Sequence, residues 1–280
     1  MRVIDFRLRP PFGAFRDLIV FCDSARTARL SRGLGFDLAP SVQARSMDLL
    51  LSEMDAGSVK CGVITGRTDT VFGSVGNNVI EQVVAAYPGK FIGVAYIGPH
   101  NRKVAIDEIE RAMASGFKGV VIEPGLAQPP MYLDDGRLYP IYAHLEDRKI
   151  PLVFMAGGNA GPDTTYSSPE HIDRVARDFP DLTIVSAHGN WPWVSQIIHI
   201  CYRRPNVYLS PDMYLFGGLP GASDYINAAN GFMADRFLFG SAYPVVPVDQ
   251  AVREFLKFPL KDAVIDRVLY ANAARLLGLD

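Results

Sequence analysis

Eight short runs of apolar and β-branched residues recur along the chain. They occupy residues 2–6, 61–65, 91–97, 118–123, 151–156, 183–187, 206–210 and 237–241. Runs this short, with apolar side chains at consecutive positions, are typical of strands that are buried on both faces of a parallel sheet. The pattern therefore predicts eight parallel strands.

Stretches with helical periodicity separate most of these runs. They cover residues 78–87, 102–115, 140–148, 169–178 and 193–202. From the second run onward, successive runs begin about 23 to 33 residues apart, which is the length of one strand and one helix. Eight such units predict a closed (β/α)₈ TIM barrel that forms a single domain over residues 1–280. An open, doubly wound sheet is the alternative, but the first run is not followed by a glycine-rich dinucleotide fingerprint.

Three stretches are longer than the loops of a strand and helix unit need. They cover residues 10–58, 157–163 and 212–224, and the first is expected to contain added helix. In barrels of this kind the loops that follow the strands carry the chemistry. These three loops are therefore predicted to wall a functional site.

Composition and charge exclude several classes of function. A net charge of -2 gives no basic excess for nucleic acid, and the apolar runs are too short and too interrupted to span a bilayer. The charged first residues do not resemble a signal peptide, so we expect a cytoplasmic protein. The three cysteines, Cys22, Cys61 and Cys201, are too far apart to predict a zinc knuckle or a disulfide framework.

Three short motifs carry a resemblance to a known family. Residues 4–9 read Ile-Asp-Phe-Arg-Leu-Arg and resemble an I-D-x-H-x-H pattern with both histidines replaced. Residues 240–244 resemble a G-S-D-Y-P pattern in which alanine replaces aspartate, and residues 270–277 resemble an N-A-x-R-L ending. In order and separation these motifs are similar to those of the amidohydrolase-2 family of metal-dependent hydrolases and decarboxylases. The resemblance covers essentially the whole chain.

The resemblance implies a metal site that most of these residues cannot form. The family binds a divalent metal through histidines on strands one and five and an aspartate on strand eight, with a further histidine on strand six. Arg7 and Arg9 match the strand-one histidines, Met155 matches the strand-five histidine and Ala242 matches the strand-eight aspartate. Only His188, which matches the strand-six histidine, is the residue that the family has. Guanidinium has no free lone pair, alanine has no ligand atom and a thioether is too soft a ligand. We therefore predict no catalytic metal and no other cofactor.

Two arginines are predicted to take over the positive charge of that metal. Arg7 and Arg9 are two residues apart on a strand, so both side chains point to one face. Unpaired buried cations are costly, so these two are expected to bind a substrate carboxylate or to be neutralised by Asp5, Glu123 or Asp212.

His188 is predicted to be the general acid or base, because its lone pair is not needed for a metal. Glu123 ends the fourth predicted strand and Asp212 follows the seventh. Either could orient His188, transfer a proton or pair with an arginine, and together with His188 they could hold a relocated metal. Arg67 could bind an anion or lie exposed on a loop. Three further residues are candidates for substrate contacts at the rim of the site, or for packing: Asn190, Trp191 and Tyr243.

These residues predict a hydrolase that opens a lactone or an amide bond of a small carboxylated substrate without a metal. A non-oxidative decarboxylase of the same family is the alternative. A third interpretation is a barrel that has lost catalysis and only binds a small acid. The small carboxylate is the expected partner, and assembly into a homodimer is left open.

Overall fold

The computed structural model describes residues 1–279, with all of their side chains except those of residues 68 and 69. Its strands are β1 Val3–Leu8, β2 Val59–Thr65, β3 Arg67–Thr70, β4 Gly73–Val75, β5 Phe91–Tyr96, β6 Val120–Ile122, β7 Leu152–Met155, β8 Ile184–Ala187 and β9 Val207–Ser210. Seven of them form one parallel sheet in the order β1-β2-β5-β6-β7-β8-β9, and β3 pairs with β4 as a separate antiparallel hairpin. The first seven predicted strands are therefore confirmed.

The eighth predicted run closes the sheet into a barrel without forming a regular strand. The amide of Leu238 donates to the carbonyl of Leu209 in β9 at 2.9 Å, and the amide of Phe6 in β1 donates to the carbonyl of Phe239 at 2.9 Å. Residues 237–241 thus join the two edge strands. Ala242 interrupts the regular strand with a left-handed backbone, φ 60°, but the next residue still pairs with the first strand, because the amide of Arg9 donates to the carbonyl of Tyr243 at 3.2 Å.

The helices lie mainly between the strands, as the periodicity predicts. They are α1 Ile19–Cys22, α2 Ser24–Gly33, α3 Pro40–Ala44, α4 Met47–Ala56, α5 Asn77–Ala86, α6 Arg102–Ala114, α7 Tyr139–Asp147, α8 Glu170–Asp178, α9 Val194–Arg203, α10 Ala222–Ala229, α11 Val248–Phe255, α12 Asp262–Asp266 and α13 Asn272–Leu277, with a π-helical turn at Arg267–Ala271. The long first loop holds α1 to α4, so the added helix predicted there is confirmed. Helix α8 is typical of the outer ring, because Ile172, Val175 and Ala176 are buried on one face.

Two apolar clusters hold the barrel together. The inner cluster takes one or two residues from each barrel strand, such as Ile4, Val63, Val153 and Val185, so these side chains fill the interior. The larger outer cluster packs the helices against the sheet. Among residues 1–279, no helix combines the length and the apolar character needed to cross a bilayer.

Candidate functional site

A cavity of about 190 Å³ opens at the carboxyl ends of the barrel strands. A space of this size is comparable to the ~150 Å³ cavity that accommodates benzene, so it suits a ligand built on one small ring. The residues that line it come from several strand ends and from the long first loop: Arg7, Arg9, Ile19, Val20, Arg26, Thr27, Leu30, Arg67, Phe72, Glu123, Leu126, Met155, Gly157, Asn159, Ala160, His188, Met213, Tyr214, Ala242, Pro244 and Val245.

A bulge near the end of β1 directs two arginines into this cavity. Asp5 lies opposite Gly62 and Leu8 lies opposite Ile64, so β1 advances three residues while β2 advances two. The extra residue changes which side chains face the interior, and Arg7 and Arg9 both line the cavity as a result. The amide of Arg7, which the irregular ladder leaves unpaired, donates to Oδ1 of Asp5 at 3.0 Å.

Asp5 stabilises the bulge and does not neutralise the arginines through an ion pair. Its carboxylate accepts hydrogen bonds from the amide of Ser241 at 2.8 Å and from the hydroxyl of Ser241 at 2.5 Å. Burial raises the pKa of Asp5 to about 6, although the hydrogen bonds from Ser241 and Arg7 act in the opposite direction. Asp5 therefore ties the first strand to the segment that closes the barrel.

Neither Arg7 nor Arg9 has an ion-pair partner among the described residues. Arg7 is 3% exposed; its Nη1 donates to Oγ1 of Thr65 at 3.1 Å, and its buried Nε has no hydrogen-bond partner. Burial, reinforced by the positive charge of Arg67, lowers the pKa of Arg7 to about 10. The half-buried Arg9 has its pKa lowered well below the usual value, by burial and then by Arg7 and Arg67. Within the described part of the chain, these two guanidinium groups are therefore left without a carboxylate in contact.

Arg67 and Glu123 form a buried ion pair at the side of the cavity. Nε of Arg67 donates to Oε2 of Glu123 at 3.0 Å, and Nη2 donates to Oε1. Burial alone would raise the pKa of Glu123, but the guanidinium groups, Arg67 first, outweigh it and hold this pKa below its usual value. Of the roles left open for Glu123, the geometry supports pairing with an arginine.

His188 and Asp212 face each other at the end of the cavity next to Arg7. Nδ1 of His188 lies 2.7 Å from Oδ2 of Asp212, within ion-pair distance, although the N–H direction departs from that of a well-aligned hydrogen bond. Nε2 of His188 lies 3.4 Å from Nη2 of Arg7. Because a guanidinium can only donate, we assign the lone pair to Nε2 and the proton to Nδ1, on the side of Asp212.

The backbone that carries His188 and Asp212 is left-handed at both residues, and also at the two residues that follow His188. His188, Gly189 and Asn190 have φ values of 64°, 58° and 52°, and Asp212 has φ 47°. Non-glycine residues adopt this conformation rarely, and such strain concentrates at functional sites. The absence of a side chain at Gly157 also matters, because a Cβ there would lie 2.5 Å from the carbonyl oxygen of His188.

Asn190 is not brought to the cavity, which corrects its predicted role in substrate binding. It is completely buried, its Oδ1 accepts from the hydroxyl of Ser186 at 2.5 Å, and its Nδ2 donates to the carbonyl of Ser167 at 2.9 Å. Its side chain therefore holds the turn that carries His188.

Tyr243 and Trp191 also lie outside the cavity lining. Tyr243 is 1% exposed, and its hydroxyl shares a hydrogen bond of 2.8 Å with Ser41 in the first loop. Trp191 stacks on Tyr214 with ring centroids 5.1 Å apart, and its indole N–H donates to the carbonyl of Pro220 at 3.3 Å. Both fit the packing role that the sequence left open, while Trp191 supports the cavity wall indirectly through Tyr214.

The cavity does not fit the metal that the family resemblance implies. Arg7, Arg9, Met155 and Ala242 all line it, so the replaced ligand positions do meet at one place, but none offers a donor suited to a hard divalent cation. Across the described side chains, no three His, Cys, Asp or Glu residues are grouped so that they could hold a metal ion. A relocated centre built from His188, Asp212 and Glu123 is therefore not formed.

Some residues of the cavity were not recognised from the sequence. Arg26 and Tyr214 line it, from helix α2 and from the loop after β9. Neither stands in a motif, and the course of a long loop is not encoded in strand or helix periodicity. The only available signal was that both lie in the long loops predicted to wall the site.

The fold and the site define an α/β-barrel protein with its reactive groups at the carboxyl ends of the strands. More specifically, the chain belongs to the amidohydrolase family, whose model matches residues 12–279.

Solved structures with the same fold extend over the whole chain. An uncharacterised TIM-barrel protein from Bordetella bronchiseptica is 49% identical, with a TM-score of 0.96 and 99% of each chain covered. The 2,6-dihydroxybenzoate decarboxylase from Rhizobium is 16% identical, with a TM-score of 0.75, and the match covers 100% of this chain and 99% of that one. A dihydroxybenzoic acid decarboxylase from Polaromonas, with bound manganese and the inhibitor 2-nitroresorcinol, is 17% identical, with a TM-score of 0.74 and coverage of 99% and 97%. The two decarboxylases show likeness of fold alone.

Proposed function

We propose that this protein is a metal-independent hydrolase that opens a lactone or an amide bond in a small, carboxylated, ring-sized substrate. One observation carries the proposal: the contact between His188 and Asp212 lies directly beside Arg7, which has no ion-pair partner among the described residues. The lone pair of His188 points away from Asp212, so the imidazole can accept a proton from water. The neighbouring positive charge of Arg7 can stabilise the oxyanion that forms when this water attacks a carbonyl group.

The charge of the cavity supports an anionic substrate. Glu123 is occupied by Arg67 and Asp212 faces His188, so Arg7 and Arg9 are left to bind a carboxylate. Arginine suits this role because its guanidinium can grip a carboxylate through two parallel hydrogen bonds. An anion would also offset the cost of keeping these cations buried.

The chemical step uses residues of the chain alone. Water attacks the carbonyl carbon and gives a proton to Nε2 of His188, while the Arg7 guanidinium stabilises the oxyanion that forms. The contact of 3.4 Å between Arg7 and Nε2 is long for a hydrogen bond, so water can replace it. When the intermediate collapses, the bond from carbon to oxygen or nitrogen breaks. His188 then returns the proton to the leaving atom and regains its starting form.

The test is a substrate screen in the presence of a chelator. Purified protein is incubated with five- and six-membered lactones that carry a carboxylate, with the corresponding lactams and with hydroxybenzoates, and products are identified by NMR. We expect ring opening with EDTA present, and a loss of at least about 100-fold in kcat/KM for both Arg7→Ala and His188→Gln. The matched control is His199→Gln, because His199 is exposed on α9.

Other outcomes of the substrate screen would assign a different function to the protein. Release of carbon dioxide from a hydroxybenzoate would identify a decarboxylase, and binding without any turnover would support a barrel that only binds a small acid. Activity that is lost in EDTA and restored by zinc or manganese would contradict the metal-independent mechanism.

A further inference from the structure

A third arginine, Arg26, faces the cavity from the long first loop, and it has no ion pair with any described side chain. Arg26 lies in the first turn of α2, where its amide is capped by the side chain of Asp23 at 2.9 Å. Its side chain is half-buried and lines the cavity, and the described part of the chain gives its guanidinium neither a hydrogen bond nor an ion pair. Among the described residues, the N–H groups of this guanidinium therefore have no acceptor, so they can bind a ligand in the cavity.

Arg26 lies beside the aromatic ring of Phe72. The guanidinium carbon of Arg26 lies 5.9 Å from the centroid of the Phe72 ring, and that of Arg67 lies 5.3 Å from the same centroid. Two positive groups thus share one aromatic ring contributed by the hairpin of β3 and β4. Arg67 is paired with Glu123, whereas Arg26 is paired with no carboxylate of the described residues.

A single bound carboxylate would not give each of these arginines an anionic partner. Three of the four arginines that line the cavity, Arg7, Arg9 and Arg26, have no ion pair among the described residues. Among the described side chains of the lining, the one carboxylate is that of Glu123, which is held by the fourth arginine. One substrate carboxylate bound by Arg7 and Arg9 would therefore leave the guanidinium of Arg26 without an anionic partner.

We propose that Arg26 forms a second anion subsite and that the natural substrate carries two anionic groups, most simply two carboxylates on one small ring. This inference rests on the proposed function, because that function assigns the first carboxylate to Arg7 and Arg9. The apolar side chains of Ile19, Val20 and Leu30 line the same part of the loop. They would contact the ring between the two anionic groups.

The experiment measures binding, so it does not depend on turnover. Isothermal titration calorimetry compares benzoate with benzene-1,3-dicarboxylate and benzene-1,4-dicarboxylate, on wild type, Arg26→Ala and Arg26→Lys. We expect at least one dicarboxylate to bind wild type at least about tenfold more tightly than benzoate, because a charge-assisted hydrogen bond is among the stronger contacts. Arg26→Ala should abolish that preference and weaken the dicarboxylate much more than benzoate, and Arg26→Lys should restore part of it.

Arg29→Ala is the matched control, because Arg29 is exposed on the same helix and does not line the cavity. Its melting temperature and that of Arg26→Ala should equal wild type, which separates lost binding from lost folding. The inference is overturned if both dicarboxylates bind no better than benzoate, if none of the three probes binds, or if Arg26→Ala weakens benzoate and dicarboxylate equally. The protein could also prefer a dicarboxylate in a manner that depends on Arg26 and yet turn over no lactone or amide. That result would contradict the proposed hydrolase and support the second anion subsite.

Discussion

Nη2 of Arg7, in the first strand of the barrel, lies 3.4 Å from Nε2 of His188, which follows β8. The guanidinium has only protons to offer, so this proximity favours the tautomer with the lone pair on Nε2 and the proton on Nδ1, towards Asp212. At a position where the family resemblance implies a metal ligand, the arginine therefore favours one tautomer of the neighbouring base.

Asp212→Asn should remove activity without unfolding the protein. An amide can donate to Nδ1 of His188 and so favour the opposite tautomer, in which Nε2 carries the proton and cannot act as a base. We expect kcat to fall by about 10²- to 10⁴-fold, and nitrogen NMR of the imidazole should show that the proton has moved from Nδ1 to Nε2. Asp224→Asn, at an exposed position of α10, is the control. An unchanged kcat in Asp212→Asn would refute the role of this contact.

Glu123→Gln tests whether Glu123 pairs with Arg67 or transfers protons. The substitution leaves a buried guanidinium without its carboxylate, so we expect the free energy of unfolding to fall by about 3 kcal/mol or more. The double variant Arg67→Met with Glu123→Leu should recover part of this loss, because it removes both charges together. Urea denaturation measures the difference. Full stability combined with complete loss of turnover in Glu123→Gln would instead assign Glu123 to catalysis.

The sequence was sufficient to predict the alternation of strands and helices, because a strand buried on both faces and an amphipathic helix have distinct periods. It was also sufficient to predict that Arg7, Arg9 and His188 lie at the same end of the barrel, because the carboxyl ends of parallel strands meet there. The eighth strand was harder to predict. It pairs with both edge strands but is irregular, with a left-handed residue at Ala242, and apolar residues alone do not reveal such an irregularity.

The side chains next to the motifs were the ones whose roles could not be predicted. Asn190 and Tyr243 are close in sequence to His188 and Ala242, but the backbone turns at those residues direct both side chains into the protein. Arg26 is far from every motif, and only the path of the first loop brings it to the cavity. Neighbourhood in the sequence is therefore a poor guide to a site that is built on turns and long loops.

The buried carboxyl group of Asp5 should make stability depend on pH. Its pKa is about 6 in the folded protein and 3.8 in the unfolded reference, so between these values the folded state binds the proton that the unfolded chain has released. Its contribution is fully present below about pH 4 and is lost as the pH rises through about 6. A shift of about two pKa units corresponds to about 3 kcal/mol.

Asp5→Asn isolates this effect, because the amide does not titrate. The free energy of unfolding of wild type, relative to that of Asp5→Asn, should fall by about 2 kcal/mol between pH 4 and pH 7. Urea denaturation at each pH unit in that range provides the measurement. Parallel curves for the two proteins would show that Asp5 does not hold a proton in the folded state.

Gly157→Ala should disturb the position of His188 more than the fold. A Cβ at residue 157 would lie 2.5 Å from the carbonyl oxygen and 2.7 Å from the Cβ of His188, so the turn that carries the base must shift. A displacement of about 1 Å at a reacting group costs about 100-fold in rate, and we expect kcat to fall by that order while KM changes much less. Gly136→Ala is the matched control, because a Cβ there meets no atom within 4 Å. If both variants keep the wild-type kcat, then the close approach of Gly157 to His188 does not control the position of the base that accepts the proton from water.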